Sequence, residues 1–293
     1  MMTNGSVLGI DLGGTKIALA LYDHDFQTID ARVIPTGADR GFDFVMKTVT
    51  QEASSMIRPD TRAIGLGVPG FIHPATGEVR SMPNIPGAEG TKPATILSEA
   101  LKLPVTIEND ARCFAYAEAM LGAGKGHKVV LGVTLGTGVG GGIVIDGVLY
   151  HGANGIAGEI GHSLLKPGEP PYPTDDRRGD AEQFLSGTAM GKRCEAASRP
   201  EDYLEGTVCS FMQPQVFREI AWLVTNAVHF VDPSLVVFGG SAGRALSPHL
   251  DTVRKELSHW MLPSIPVPNL AIGVLQDPSR RGAALLASKN LVH

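Results

Sequence analysis

The chain has 293 residues, enough for about two domains at roughly 150 residues each. Its 36 glycines gather at turns without a repeat, which excludes a collagen-like or low-complexity chain. A net charge of −5 with 43% hydrophobic residues describes a globular, core-forming protein and excludes bulk attraction to nucleic acid or an anionic membrane.

Met1 to Ser6 holds no basic region ahead of Val7-Leu8-Gly9-Ile10-Asp11, so no targeting segment is expected. Val7 to Asp11 and Ile17 to Asp23 read as a strand pair joined at Gly13-Gly14, extended by a third strand over Thr28 to Pro35. Phe42, Val45, Met46, Val49, Ala53 and Met56 recur at helical spacing up to Pro59. Ala63 to Val68 is a buried strand ending at Pro69-Gly70, followed by a helix over Thr95 to Leu101 and a strand over Val105 to Ile107. Ala111 to Leu121 is a helix closed by Gly122, with Asp110 in the N-cap position. Val129 to Leu135 and Gly142 to Tyr150 are strands, the latter folded at Asp146-Gly147 as a type I′ hairpin. A strong helix spans Val216 to Val231, then a strand over Leu235 to Phe238, a strand over Leu270 to Leu275 and a helix over Gly282 to Lys289. Such alternation specifies an α/β architecture. The uncharged run Val129 to Ile145 contains six glycines and is too short to span a bilayer.

Leu8 to Thr15 and Leu131 to Gly138 share one pattern, an apolar strand running into a Gly/Thr turn, which suggests two similar domains. Such turns let backbone N–H groups approach an anion. Asp11-Leu12-Gly13-Gly14-Thr15-Lys16 adds a hydroxyl, a cation and a carboxylate, yet it is no Walker A loop, because a strand follows it. Gly136 to Gly141 matches GxGxxG literally, but Ile143-Val144-Ile145 continues as strand, so a dinucleotide fingerprint is rejected and a phosphate cradle remains. Asp110 suits either a helix cap or a general base at a strand's carboxyl end. Glu159, His162 and Glu182 add polar groups in or beside glycine-rich loops. Cys113, Cys194 and Cys209, odd in number and without CxxC spacing, argue against a disulfide framework and fit a reducing cytoplasm.

Together these pieces resemble the ROK family (repressors, open reading frames and sugar kinases) of the actin-like, hexokinase superfamily. Asp11 to Lys16 is similar to its first phosphate motif and Leu135 to His162 to its signature segment. Glu108-Asn109-Asp110, Asp232-Pro233 with Gly239-Gly240, and Arg281 to Ala284 fall in the family's order. The resemblance implies two actin-like (ribonuclease H-like) α/β domains flanking a catalytic cleft. Residues 1–110, joined by a C-terminal helix near 280–293, would form the smaller and 111–279 the larger. It also implies a cytoplasmic, homodimeric phosphotransferase that uses ATP and Mg²⁺ to phosphorylate a hexose or N-acetylhexosamine at O6. Asp110 would be the base, with Gly70, Asn84, Asn109, Asp110, Glu159, His162 and Glu182 at the sugar. Gly13, Gly14, Thr15, Lys16, Thr137 and Gly138 would face the phosphates, Gly239 and Gly240 the adenosine, and Asp11 the Mg²⁺ through water. The alternatives within the family are a fructokinase, or a non-catalytic sugar-binding or regulatory protein. A repressor would carry a DNA-binding segment ahead of the first phosphate motif, where only ten residues precede Asp11.

One departure stands out. Many members follow the Glu-x-Gly-His segment with a cysteine-rich run that binds structural zinc. Here Pro167 to Asp180 contains no cysteine, so no structural zinc is expected. Four prolines between Pro167 and Pro173, with Asp–Arg pairs such as Asp176 with Arg177 or Arg178, would order the loop instead.

Overall fold

The structure, a computed structural model, describes residues 5–291; most of the segment read for targeting signals lies outside them. It divides into two compact units. The first runs to Ala117 and regains His151–Ile156 and the chain from Gln276 onward; the second holds Glu118–Tyr150 and Ala157–Leu275.

In the first unit, β1 (Ser6–Leu12), β2 (Lys16–Tyr22) and β3 (Thr28–Pro35) form an antiparallel meander, and β4 (Thr61–Val68) and β7 (Val105–Asn109) extend it in parallel beyond β1. A ribbon of β5 (Phe71–Ile72) and β6 (Val79–Ser81) sits apart from that sheet. The helix α1 (Phe42–Met56) buries the six apolar residues that its spacing marks. Beside it packs α2 (Pro93–Leu101), and α3 (Asp110–Leu121) follows β7.

In the second unit, β8 (Val129–Leu135), β9 (Val139–Ile145) and β10 (Val148–Tyr150) form the meander, and β11 (Leu235–Gly239) and β12 (Asn269–Ile272) extend it. The two sheets therefore share one strand order, which agrees with the repeated strand–turn pattern. Asp146 and Gly147 both have positive φ, as a type I′ turn requires. The helices are α4 (Ala181–Leu185), α5 (Gly187–Arg193), α6 (Gln213–Val231), α7 (Gly240–Ala245) and α8 (Leu250–Trp260). The core joins Val133, Leu135, Phe184, Val216, Ile220, Val224, Val236 and Phe238. A buried Arg193–Glu219 pair at 2.8 Å fastens α5 to α6.

The last helix, α9 (Pro278–Asn290), returns to the first sheet. Glycines let it come unusually close: a Cβ on Gly9 would stand 2.1 Å from the Arg280 carbonyl oxygen, and one on Gly65 would stand 2.0 Å from that of Ala283. Gly282 meets the Cys113 carbonyl of α3 in the same way. The unit consequently runs on through the first turns of α3 to Ala117, beyond the boundary at Asp110 that the sequence suggests.

Cys194 and Cys209 are joined by a disulfide, a correction to the expectation of free thiols. The segment after α5 folds back and brings their Cα atoms to 6.2 Å, inside bridging range. Spacing in the chain carries no trace of that approach. Replacing Gly65 by Ala should cost about 3 kcal/mol in chemical denaturation, the upper range of overpacking, because β4 or α9 must shift as backbone.

Candidate active site

Each unit collects candidate residues around the first hairpin of its sheet. In the first unit the β1–β2 turn is closed by the Gly13 N–H donating to the Lys16 carbonyl at 2.9 Å, which leaves Gly14 and Thr15 at its tip. Thr36, fully buried, braces it from behind: its hydroxyl donates to the Gly13 carbonyl at 2.7 Å and its N–H to the Thr15 carbonyl at 3.0 Å. Asn84 lies against Gly14, where an added Cβ would come within 3.0 Å of the asparagine Cβ. The Lys16 side chain is exposed.

At the end of β7, Asn109 and Asp110 divide two tasks. Asn109, not Asp110, caps α3: its Oδ1 accepts from the N–H groups of Ala111 at 3.0 Å and Arg112 at 3.1 Å. Its Nδ2 donates to the Gly70 carbonyl at 3.1 Å. Gly70 needs to be glycine, since its φ is +102° and a Cβ would stand 2.1 Å from the Ser81 carbonyl oxygen. Asp110 is the first residue of α3 and accepts from the Ala111 N–H at 2.8 Å. Burial pushes the Asp11 carboxyl up to about 7, helped by the negative charge of Asp110 and opposed by Lys16 and Arg280.

Behind this pair is a network that motif reading misses. Buried Glu108 accepts from the Asn109 N–H at 2.8 Å, from Arg112 at 3.4 Å and from His151 at 2.5 Å. Arg112 also donates to the Gly155 carbonyl. The segment His151–Ile156 is thereby held on the first unit.

In the second unit the β8–β9 turn presents Thr137 and Gly138 to solvent. The N–H of Gly187, at the start of α5, donates to the Gly136 carbonyl at 2.7 Å, and the Thr188 hydroxyl to the Thr137 carbonyl at 3.2 Å. Glu182, on α4, accepts from the Val139 N–H at 2.9 Å. A Cβ on Gly138 would meet that same carboxylate at 2.8 Å, and one on Gly240 would meet the Leu135 carbonyl at 2.2 Å. The Gly239-Gly240 corner therefore presses directly on the end of β8. Glu159 precedes a 3-10 turn over Ile160–His162, and Gly161 lies against the Val139 carbonyl. His162 Nδ1 is 3.3 Å from Asp180 Oδ2.

The donor sets can be tested against metals. Asp11 offers a desolvated carboxylate close enough to feel Asp110, an oxygen-donor environment that suits Mg²⁺. Zinc does not fit. Cys194 and Cys209 are spent on each other, and no group of three or more His, Cys, Asp or Glu suited to a metal occurs among the described residues. The loop after His162 is held by other means. The N–H groups of Leu165 and Lys166 donate to the Gly179 carbonyl, Arg178 chelates Asp176 at 2.7–3.1 Å, and Gln183 bridges the Gly179 N–H and the Asp176 carbonyl.

The ROK family model matches residues 7–290. The chain belongs to the ROK family. It is 32% identical to N-acetylgalactosamine kinase AgaK of Shewanella sp. (strain ANA-3), with 95% of each chain covered. It is 33% identical to N-acetyl-D-glucosamine kinase of Erwinia tasmaniensis, covering 96% of this chain and 99% of that one. Among solved structures, a ROK family glucokinase from Streptomyces griseus in complex with glucose and AMPPNP has a TM-score of 0.78 at 29% identity, covering 97% of this chain and all of that one. The fold is thus the actin-like one expected from the motifs.

Metal analysis and thiol titration check the donor sets together. Protein purified without added metal should hold zinc far below one equivalent. Denatured without reductant, it should show one reactive thiol per chain, that of Cys113, which is buried in the fold.

Proposed function

We propose that this ROK protein is an ATP-dependent sugar kinase acting on a hexose or N-acetylhexosamine at O6. Asp110 supplies the observation that carries the reading. It stands at the carboxyl end of β7, where open α/β sheets place their ligands, and shares the Ala111 N–H with Asn109, the residue that caps α3. The kinase relatives and the nucleotide-bound neighbour support the same chemistry.

In this reading Asp110 takes the proton of the sugar hydroxyl as its oxygen forms a bond to the γ-phosphorus. The bond from that phosphorus to the β–γ bridging oxygen breaks, and ADP leaves. Phosphoryl transfer depends mainly on positioning and charge neutralisation. The Gly13–Thr15 turn and Thr137-Gly138 supply backbone donors to the phosphates, Lys16 adds positive charge, and Gly239-Gly240 meets the adenosine. Gly70 contributes through Asn109, whose amide its carbonyl orients. Asn84, Asn109, Glu159, His162 and Glu182 bind sugar hydroxyls. Bound Mg²⁺ would be held through Asp11 and would neutralise phosphate charge. A cytoplasmic homodimer belongs to the same reading and rests on the family resemblance. Among the described residues no helix is long and apolar enough to cross a membrane.

A coupled ADP-release assay over a panel containing N-acetylgalactosamine, N-acetylglucosamine, N-acetylmannosamine, glucose and fructose tests the class. Turnover with none of them overturns it. Asp110→Asn retains an acceptor for the Ala111 N–H, so the variant should fold normally yet lose ~10²-fold or more in kcat, with a smaller change in sugar KM.

Asp11 adds a dependence on pH. Its raised value means that a proton occupies the carboxylate below about pH 7, and a cation must displace that proton. The Mg²⁺ concentration for half-maximal rate should rise as pH falls from about 8 to about 6, approaching ~tenfold per unit at the low end. Asp11→Asn should remove that share of the dependence. An identical profile in the variant would show that Asp11 does not face the ion.

A further inference from the structure

We propose that Asp180 is a positioning residue for the sugar-binding groups of the second unit. Its buried carboxylate fixes His162 as the Nδ1–H tautomer, so that Nε2 accepts a hydrogen bond from a sugar hydroxyl, and it caps the helix that carries Glu182. This rests on the reading of His162 and Glu182 as sugar ligands.

Asp180 is 1% exposed, a costly place for a carboxylate unless its oxygens are well used. Oδ1 accepts from the Gln183 N–H at 3.1 Å, capping α4. Oδ2 faces His162 Nδ1 at 3.3 Å and the Arg178 guanidinium at 3.4 Å. Arg178 is itself held by Asp176, so Oδ2 faces a guanidinium donor while Oδ1 accepts from a backbone N–H. With donors on both oxygens, the carboxylate is the acceptor toward His162. The hydrogen between the two residues therefore sits on Nδ1, and that tautomer carries its acceptor at Nε2.

The backbone enforces the pairing. The Ala181 N–H donates to the Ser163 carbonyl at 2.8 Å, and Leu164 and Asp180 form an antiparallel bridge. His162 and Asp180 thus lie at the mouth of a short paired segment, and the ring is 38% exposed against its buried partner. Glu182 sits in the first turn of the capped helix, anchored through Oε2 to the Val139 N–H. One buried carboxylate in this way sets an acceptor nitrogen and the helix bearing an acceptor carboxylate.

The test pairs a spectroscopic readout with kinetics. In protein labelled with ¹⁵N-histidine, the His162 resonance is assigned by its loss in His162→Gln. It should report the Nδ1–H tautomer in the wild-type protein. Asp180→Asn keeps a capping oxygen but no longer demands a donor at Nδ1. The ring should move to the Nε2–H form, and sugar KM should rise roughly tenfold, the loss of about one hydrogen bond. The KM for ATP and the unfolding midpoint should barely change. In the His162→Gln background, Asp180→Asn should add little further.

An Nε2–H ring in the wild type overturns the positioning role, whatever the variants do. Equal effects of Asp180→Asn in both backgrounds overturn it as well. An Nδ1–H ring combined with unchanged sugar KM in His162→Gln overturns the sugar contact of His162 and leaves its orientation by Asp180 standing.

Discussion

The first hairpin turn of each unit closes on a single amide of its own, Gly13 to Lys16 or Gly136 to Gly138, and takes the rest of its order from bonds made by neighbouring segments. In the first, Thr36 grips the turn through the Gly13 and Thr15 carbonyls. In the second, Gly187 and Thr188 take the Gly136 and Thr137 carbonyls, and Glu182 takes the Val139 N–H. Carbonyls are drawn back into the protein by these bonds, and the tips are left to glycine and threonine. The arrangement differs from a helix N-terminus, where the dipole itself concentrates donors. Here the order comes from tertiary contacts, and in the second unit it depends on the packing of α4 and α5.

That dependence ties the β8–β9 turn to the segment around His162. Glu182 touches the start of β9 and sits on a helix whose cap also holds His162. A shift at one of these groups is felt at the others, because hydrogen-bonded neighbours couple far more strongly than distant sites. Small residues carry the same message: Gly138, Gly161 and Gly240 each stand where a methyl group would strike Glu182 or the ends of β8 and β9.

The strands and long helices are legible because each repeats its apolar residues at its own period. All six marked positions of α1 are buried, and the hairpin at Asp146-Gly147 is a local event with a local signature. α8 is harder to see, since only Val253 and Leu257 of its eleven residues are buried and most of the rest are polar. α4, α5 and α7 are too short for a period to show. At the site, Asp110 is legible as a candidate acid, but Asn109 as the N-cap is visible only once it is seen bonding to Ala111 and Arg112. Glu108, Arg112 and His151 meet through tertiary folding, which no spacing records. Asp180 did leave a signal: Asp180-Ala181-Glu182-Gln183 has capping-box spacing, although Gln183 turns its side chain to Gly179 and Asp176 instead of closing the box.

The return of α9 to the first sheet bears on how the protein is made. Val7, Ala20 and Ala63, from the first strands to leave the ribosome, share a buried cluster with Ala284 and Ala287 of the last helix. Until those residues emerge, the part of the sheet that α9 covers stays open, while the second unit has its sheet and helices complete by Leu275. Vectorial synthesis thus leaves the earliest strands waiting for the latest helix, with apolar surface open to chaperones or to unwanted partners throughout elongation.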